Sequence, residues 1–314
     1  MIPLFDGHCD TIWRFGTEGN TDELRRSTGH LDLERVEGVY GPYAQFFTLD
    51  SNKTDVFSRW ERFLEGKERF YSEVAKNSDR IMACRTAQDA QKAAEQGKIA
   101  AFMAVEGAEM LDCDMDKLEE AWRCGVRAVN VTWNRANALS GSNKEQPEQG
   151  LTERGKCFVR KMRELGILVD VSHLSDPGFW DIMECSPGPV IATHSNSRSV
   201  YHHARNLTDD QILAVIRTGG VIGLNLYAGF LGVSPDVDTV IAHLDHMWEL
   251  GGEDTVALGG DWDGANPLAK GFEDVLGWKY LYEELLCRGY PESLLYKLFY
   301  ANMMKIVQKV CTVG

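Results

Sequence analysis

The chain has 314 residues, of which 44% are hydrophobic, and a formal net charge of −14. Such a length buries a large core and suits a barrel of about 250 residues with ordinary insertions. So acidic a chain is a poor ligand for nucleic acid or an anionic membrane surface, which excludes those partners and favours a soluble protein.

In chain order, short apolar runs alternate with longer stretches of helical spacing, the pattern of βαβ units around a parallel sheet. Strands are predicted at residues 2–7, 43–49, 99–105, 126–132, 167–172, 189–193, 221–226 and 255–259. Several are apolar almost throughout, as strands covered on both faces should be. Gly125, Gly166, Gly188 and the pair Gly219-Gly220 punctuate their entries. Helices are predicted at 57–77, 86–97, 114–124, 152–165, 208–218, 237–250, 273–288 and 291–310. Thr86 is placed to cap the second, and Thr208-Asp209-Asp210 opens the fifth with a hydroxyl followed by acids. Residues 139–150 and 267–272 read as loops, the first polar enough to serve as a lid. Eight strands with crossovers predict an α/β fold closed as a (β/α)8 TIM barrel, an open doubly wound sheet being the alternative. Without a linker, repeat or low-complexity stretch, residues 1–314 are read as one domain.

The eight cysteines are scattered and none forms a CxxC pair, so reduced thiols in a cytoplasmic enzyme are expected. The first residues carry neither a basic segment nor a long apolar run, and no stretch reaches the roughly 18 apolar residues of a membrane span.

Histidines and acids gather where the predicted strands end. The first strand runs into His8-Cys9-Asp10, where alternation puts His8 and Asp10 on one face and Cys9 on the other. Glu106 ends the third strand, His173 the fifth, His194 the sixth and Asp261 the eighth. In a barrel these ends share one rim, so three histidines and three acids would converge. Ionisable groups at the ends of apolar runs are unfavourable to bury alone, and metal coordination removes that penalty. Imidazole and carboxylate donors suit zinc, with manganese or cobalt also fitting, and six groups are too many for one tetrahedral ion. Each residue has a blander reading. A single strand-end histidine is more often a hydrogen-bonded structural residue, and Glu106 could pair with Arg127 or Arg135 across the rim. Asp170 lies inside a strand and reads as structural, Asp263 as a support for Asp261. His30, His202, His203, His243 and His246 are not at strand ends and are not read as ligands. The coincidence of six decides for a metal site.

At these residues the chain resembles the membrane (renal) dipeptidase family, a branch of the amidohydrolase superfamily of zinc peptidases. The matching segments are Asp6-Gly7-His8-Cys9-Asp10-Thr11, Val105-Glu106-Gly107, Val169-Asp170-Val171-Ser172-His173, Thr193-His194-Ser195-Asn196, Ala204-Arg205-Asn206-Leu207-Thr208-Asp209 and Gly259-Gly260-Asp261-Trp262-Asp263-Gly264. The resemblance implies a barrel with two divalent metal ions, expected to be zinc. His8 and Asp10 would hold one, His173 and His194 the other, and Glu106 would bridge both. It further implies that Asp261 handles the proton of the attacking water and that Arg205 grips the substrate's terminal carboxylate through its planar fork. Members with dipeptidase activity carry a Thr-His pair after strand four, whose histidine contacts substrate; here the pair is Thr132-Trp133. Trp133 is therefore read as a substrate-binding residue with one indole N–H to donate. The expected function is zinc-dependent hydrolysis of dipeptides by a water activated between two metals. An amidohydrolase of another small amide, such as an N-acyl amino acid, stays open, as does a metal-retaining binding protein without turnover. The implied partner is a small-molecule substrate, with a homodimer expected by analogy.

Overall fold

The computed structural model describes residues 1–16, 21–51 and 58–313. Nine parallel strands form its sheet: β1 (Ile2–Cys9), β2 (Tyr40–Asp50), β3 (Ile81–Ala83), β4 (Ile99–Glu106), β5 (Val126–Asn130), β6 (Leu168–Asp170), β7 (Ile191–Ala192), β8 (Val221–Leu224) and β9 (Val256–Leu258). Their order is β2-β1-β9-β8-β7-β6-β5-β4-β3, and β2 also pairs with β4. That extra pairing closes eight strands into a (β/α)8 barrel and leaves β3 outside the ring. β3 lies along Ile99–Ala101 of β4, below the point at Met103 where β5 takes over the same edge. This ninth strand corrects the sequence reading: three residues are too few to show a period.

The interior is a cluster that draws at least one residue from each of the eight ring strands. Phe5, Phe46 and Phe102 stack at its centre with ring centroids 5.3–5.7 Å apart. Alanines 44, 100, 104 and 128 make room around them, and Met303, Ile306 and Val307 of the helix Asn302–Val310 close the same cluster. A larger apolar layer fills the space between barrel and outer helices. Among the described residues no helix is long and apolar enough to cross a membrane.

The helices form largely where predicted, held by local chemistry. Arg59–Lys76 starts at Ser58 with a reciprocal capping box to Glu61; position 57 of the predicted helix lies outside the described residues. Thr86 caps Ala87–Glu95 with Asp89, and Thr208 caps Asp209–Thr218 with Gln211. The predicted helix 273–288 is shorter, Gly277–Cys287. The predicted helix 291–310 is divided by a π segment, Lys297–Ala301, between Glu292–Tyr296 and Asn302–Val310. The predicted lid at 139–150 is instead tied into the barrel rim. The Asn143 amide donates to the His173 carbonyl at 2.9 Å, Ser142 Oγ donates to the Asn134 carbonyl at 3.0 Å, and Thr152 N donates to Leu139 O at 2.8 Å. All eight cysteines are unpaired.

Two local features of β1 aim the site. Phe5 faces the interior, so strict alternation would turn Gly7 and Cys9 inward as well. An irregularity in the pairing with β2 between Asp6 and Cys9 shifts the phase, and Cys9 joins the outer apolar layer. His8 and Asp10 thereby face in. Asp6, fully buried, accepts the indole N–H groups of Trp262 (2.7 Å) and Trp278 (2.6 Å) and the amides of His8 (3.0 Å) and Gly260 (3.1 Å). One carboxylate thus ties the end of β1 to the loop after β9. Asp6→Ala should destabilise the protein in urea unfolding by several kcal/mol, at about 1–3 kcal/mol for each buried donor left unpaired.

Candidate metal centre

The rim positions each donor by how its strand ends. His173 (φ 70°) and Asp261 (φ 60°) both leave their strands through a left-handed conformation that only glycine adopts without strain. Such conformations concentrate at functional sites, where the surroundings enforce them. The turns swing both side chains back over the barrel mouth, beside His8, Asp10, Glu106 and His194. All six predicted residues meet there. Glu106 Oε1 lies 3.0 Å from His173 Nε2, 3.3 Å from His194 Nε2 and 3.7 Å from His8 Nε2. His8 Nε2 is 3.5 Å from Asp10 Oδ2 and 3.9 Å from Asp261 Oδ1. Among the described residues, donor atoms within 4.8 Å of one another form two groups, His8–Glu106–His194 and His8–Asp10–Asp261.

Tautomers follow from the partners behind the rings. Thr193 Oγ1 donates its proton to Asp170, and so accepts from His194 Nδ1 at 2.9 Å. Asn134 Oδ1 takes the His173 Nδ1 proton at 3.2 Å, and Thr48 Oγ1 stands 3.4 Å from His8 Nδ1. His173 and His194 therefore present bare Nε2 lone pairs, 2.9 Å apart, to the centre of the cluster. Two lone pairs at that separation repel unless a cation lies beside them. His8 Nε2 and Asp10 Oδ1 are also buried without a hydrogen-bond partner. The donor set fits divalent cations, and second partners behind histidine ligands are the usual means of orienting them.

The electrostatics agree. Burial opposes an imidazolium at His8, but Glu106, Asp10 and Asp261 outweigh it and push His8 up to about 10. Burial, with like charge from Asp10 and Asp261, holds Glu106 well above the usual carboxylate range; burial raises Asp10 and Asp261 too. Burial keeps His173 and His194 well below the ordinary imidazole value, hence neutral. The cluster is short of positive charge.

Asp10, Glu106, His173, His194 and Asp261 line a cavity of about 770 Å3, lined also by Trp13, Asp50, Trp133, Tyr227 and Phe230. Trp133 stands with its ring centroid 6.3 Å from that of His173. Arg205 is buried behind the wall, donating to the His194 carbonyl at 3.2 Å, its guanidinium 5.2 Å from the Phe230 ring centre. Burial brings it down to about 10, with Glu106 and Asp261 opposing that fall. Arg127 does not reach Glu106: its donors go to the carbonyls of Arg85, Trp122, Val126 and Val313. Asp263 lines the cavity but accepts from Thr11 Oγ1 (2.7 Å) and the His30 amide (2.9 Å), and so anchors the segment after β1. Asp170 is structural, ordering Thr193 and Ser172. His30, His203, His243 and His246 are engaged in hydrogen bonds outside the cluster.

Sequence reasoning missed Asn134, Thr193 and Asn225, which hold His173, His194 and Asp261; Asn225 Nδ2 donates to Asp261 Oδ2 at 3.0 Å. It also missed Asp50, which ends β2 just as Glu106 ends β4. The predicted second strand stopped one residue short of it.

A parallel eight-stranded barrel with imidazole and carboxylate donors converging at its C-terminal rim defines a metal-dependent hydrolase of the amidohydrolase type. The model of the membrane dipeptidase family, peptidase family M19, matches residues 1–314, and the chain belongs to that family of metal-dependent dipeptidases. It is 32% identical over 249 residues to an uncharacterised Klebsiella pneumoniae protein of the pqqA 5′ region, covering 76% of this chain and 92% of that one. A Rhodobacter sphaeroides metallo peptidase, solved with a phosphinate mimic of the dipeptide L-Ala-D-Ala, superposes with a TM-score of 0.90 at 29% identity, covering 98% of this chain and 99% of that one. The structure of dipeptidase AC, also of family M19, gives 0.90 at 29% identity and covers 99% of each chain.

Proposed function

We propose that this chain hydrolyses dipeptides at a centre of two divalent ions, with zinc the ion its donors suit best. The carrying observation is the convergence of five donors and Asp261 at the barrel mouth, all but the buried His8 lining one cavity. His8 and Asp10 would hold one ion, His173 and His194 the other, and Glu106 would bridge them. Ions so placed lower the pKa of water towards about 7 and polarise an amide carbonyl. Asp261 accepts the proton of the attacking water and returns it to the leaving amine. Asn225 fixes Oδ2 of that carboxyl, which leaves Oδ1 directed at the cluster. Arg205 orients the substrate by its free carboxylate. The dipeptide mimic bound by the Rhodobacter relative supports the substrate class.

The test is a panel of L,L- and L,D-dipeptides against N-acyl amino acids, run beside metal analysis and a single-turnover assay. Faster turnover of the acylated compounds would favour the second reading, which Trp133 in the position of the family's histidine keeps in play. Metal retention without a single turnover would leave only a binding role. Within the panel, Arg205→Ala should lower kcat/KM about 10- to 100-fold for peptides with a free C-terminal carboxylate and spare their carboxamides. Equal loss on both would remove Arg205 from carboxylate binding.

A further inference from the structure

We propose that Asp50 binds the free α-ammonium of the dipeptide, so that Asp50 and Arg205 measure the substrate across the metal centre. This rests on the dipeptidase reading above and names what that reading leaves open: how a peptide of two residues is told from an acylated or longer one.

Asp50 is the last residue of β2, and its Cα pairs with that of Glu106 in the β2–β4 register. Neighbours in register on parallel strands project to the same face, and both residues line the cavity. Asp50 is nevertheless absent from both groups of metal-donor atoms found among the described residues. Burial is the main cause of the raised Asp10 and Glu106 carboxyls, and the charge of Asp50 nearby adds to it. The carboxylate is positioned from behind. Arg62 donates through Nε to the Asp50 carbonyl at 2.9 Å and lies 3.4 Å from Oδ1, while its guanidinium stacks 3.7 Å from the Trp13 ring centre. A stacked arginine is a rigid backing that leaves the acid facing the cavity.

Asp50 stands beside Glu106 in register, whereas Glu65 sits at a more exposed edge and Asp263 holds the segment after β1.

The topology then supplies the ruler. In the closed ring β2 and β7 stand four strands apart, on opposite sides of eight. Arg205 contacts the carbonyl of His194, just beyond β7. Asp50 and the contact that anchors Arg205 thus stand on opposite sides of the ring. Two extended residues span at most about 7 Å, with the scissile amide between ammonium and carboxylate. A zwitterionic dipeptide would offer its ammonium to Asp50 and direct its carboxylate towards Arg205, with its amide over the metal donors. Acylation removes the positive charge, and a third residue carries one charge out of reach.

Asp50→Asn and Asp50→Ala, measured in the metal-loaded full chain, test this. For free-amine dipeptides kcat/KM should fall about 10- to 100-fold, mainly through KM, while rates on their N-acetyl derivatives stay put. Metal content and thermal midpoint should match the parent. Equal loss on both substrate sets, or loss of metal, overturns the assignment and makes Asp50 part of the metal site. Calorimetry with a phosphinate dipeptide analogue and its desamino counterpart separates this inference from the reading beneath it. A parent that turns over neither substrate set, yet binds the amino analogue at least 10-fold tighter in an Asp50-dependent way, keeps the Asp50 assignment and sinks dipeptide hydrolysis. A parent that prefers acylated substrates, or an amino preference unchanged in Asp50→Asn, overturns it.

Discussion

Asp261→Asn is expected to keep its fold and its metal while kcat drops by about 100- to 10,000-fold, the usual contribution of a positioned general acid–base group. The amide is nearly isosteric and can still sit beside Asn225, so the strained turn at residue 261 has no reason to relax. What it lacks is a proton-accepting oxygen of adequate basicity. In the parent, burial raises the Asp261 carboxyl above its ordinary value, with Asp10 adding to the rise, so a proton held there is less readily lost than from a solvated acid. Metal analysis beside steady-state kinetics decides the point. Most of the parental rate with metal bound would remove Asp261 from proton transfer, and loss of metal would make it a ligand instead.

Stripping the metal should abolish dipeptide hydrolysis, with zinc or a similar divalent ion restoring it. It should also soften the protein. Asp10, Glu106 and Asp261 are packed around His8 with little exposure, and the lone pairs of His173 and His194 face each other at 2.9 Å. Without cations those charges and lone pairs repel inside the barrel mouth. Any ion bound by the folded chain alone stabilises it by mass action, by about 4 kcal/mol at a thousandfold excess over Kd. A chelated sample should melt at lower temperature and recover with the ion. Unchanged turnover after verified removal of metal would sink the metal mechanism, whereas unchanged melting alone would say only that the ions bind weakly. Metal counted per chain at saturation fixes whether the centre holds one ion or two.

Both experiments act on residues that were legible beforehand. Apolar runs ending in His8 and Asp10, Glu106, His194 or Asp261 stand out in sequence, because a strand buried on both faces has a local signature and an ionisable group at its end breaks it. Helix starts at Thr86 and Thr208 were legible for the same reason, since a cap bonds to its own first turn. The residues that orient the centre were not. Asn134 lies 39 positions from His173, and Asn225 lies 36 from Asp261. Neutral polar side chains carry no periodic signal, and their partners are met only when the strands align.

The sequence by itself thus determined the kind of fold and the candidate metal donors, because apolar period and strand-end chemistry are local. The tertiary structure alone decided four matters: the closure of β2 onto β4, the exclusion of β3 from the ring, the phase shift that turns His8 inward, and the division between Asp261 at the centre and Asp263 on the first loop. Each depends on pairing or backbone handedness set by contacts distant along the chain. The same distance hid Asp50, whose place opposite Arg205 exists only once the ring is closed.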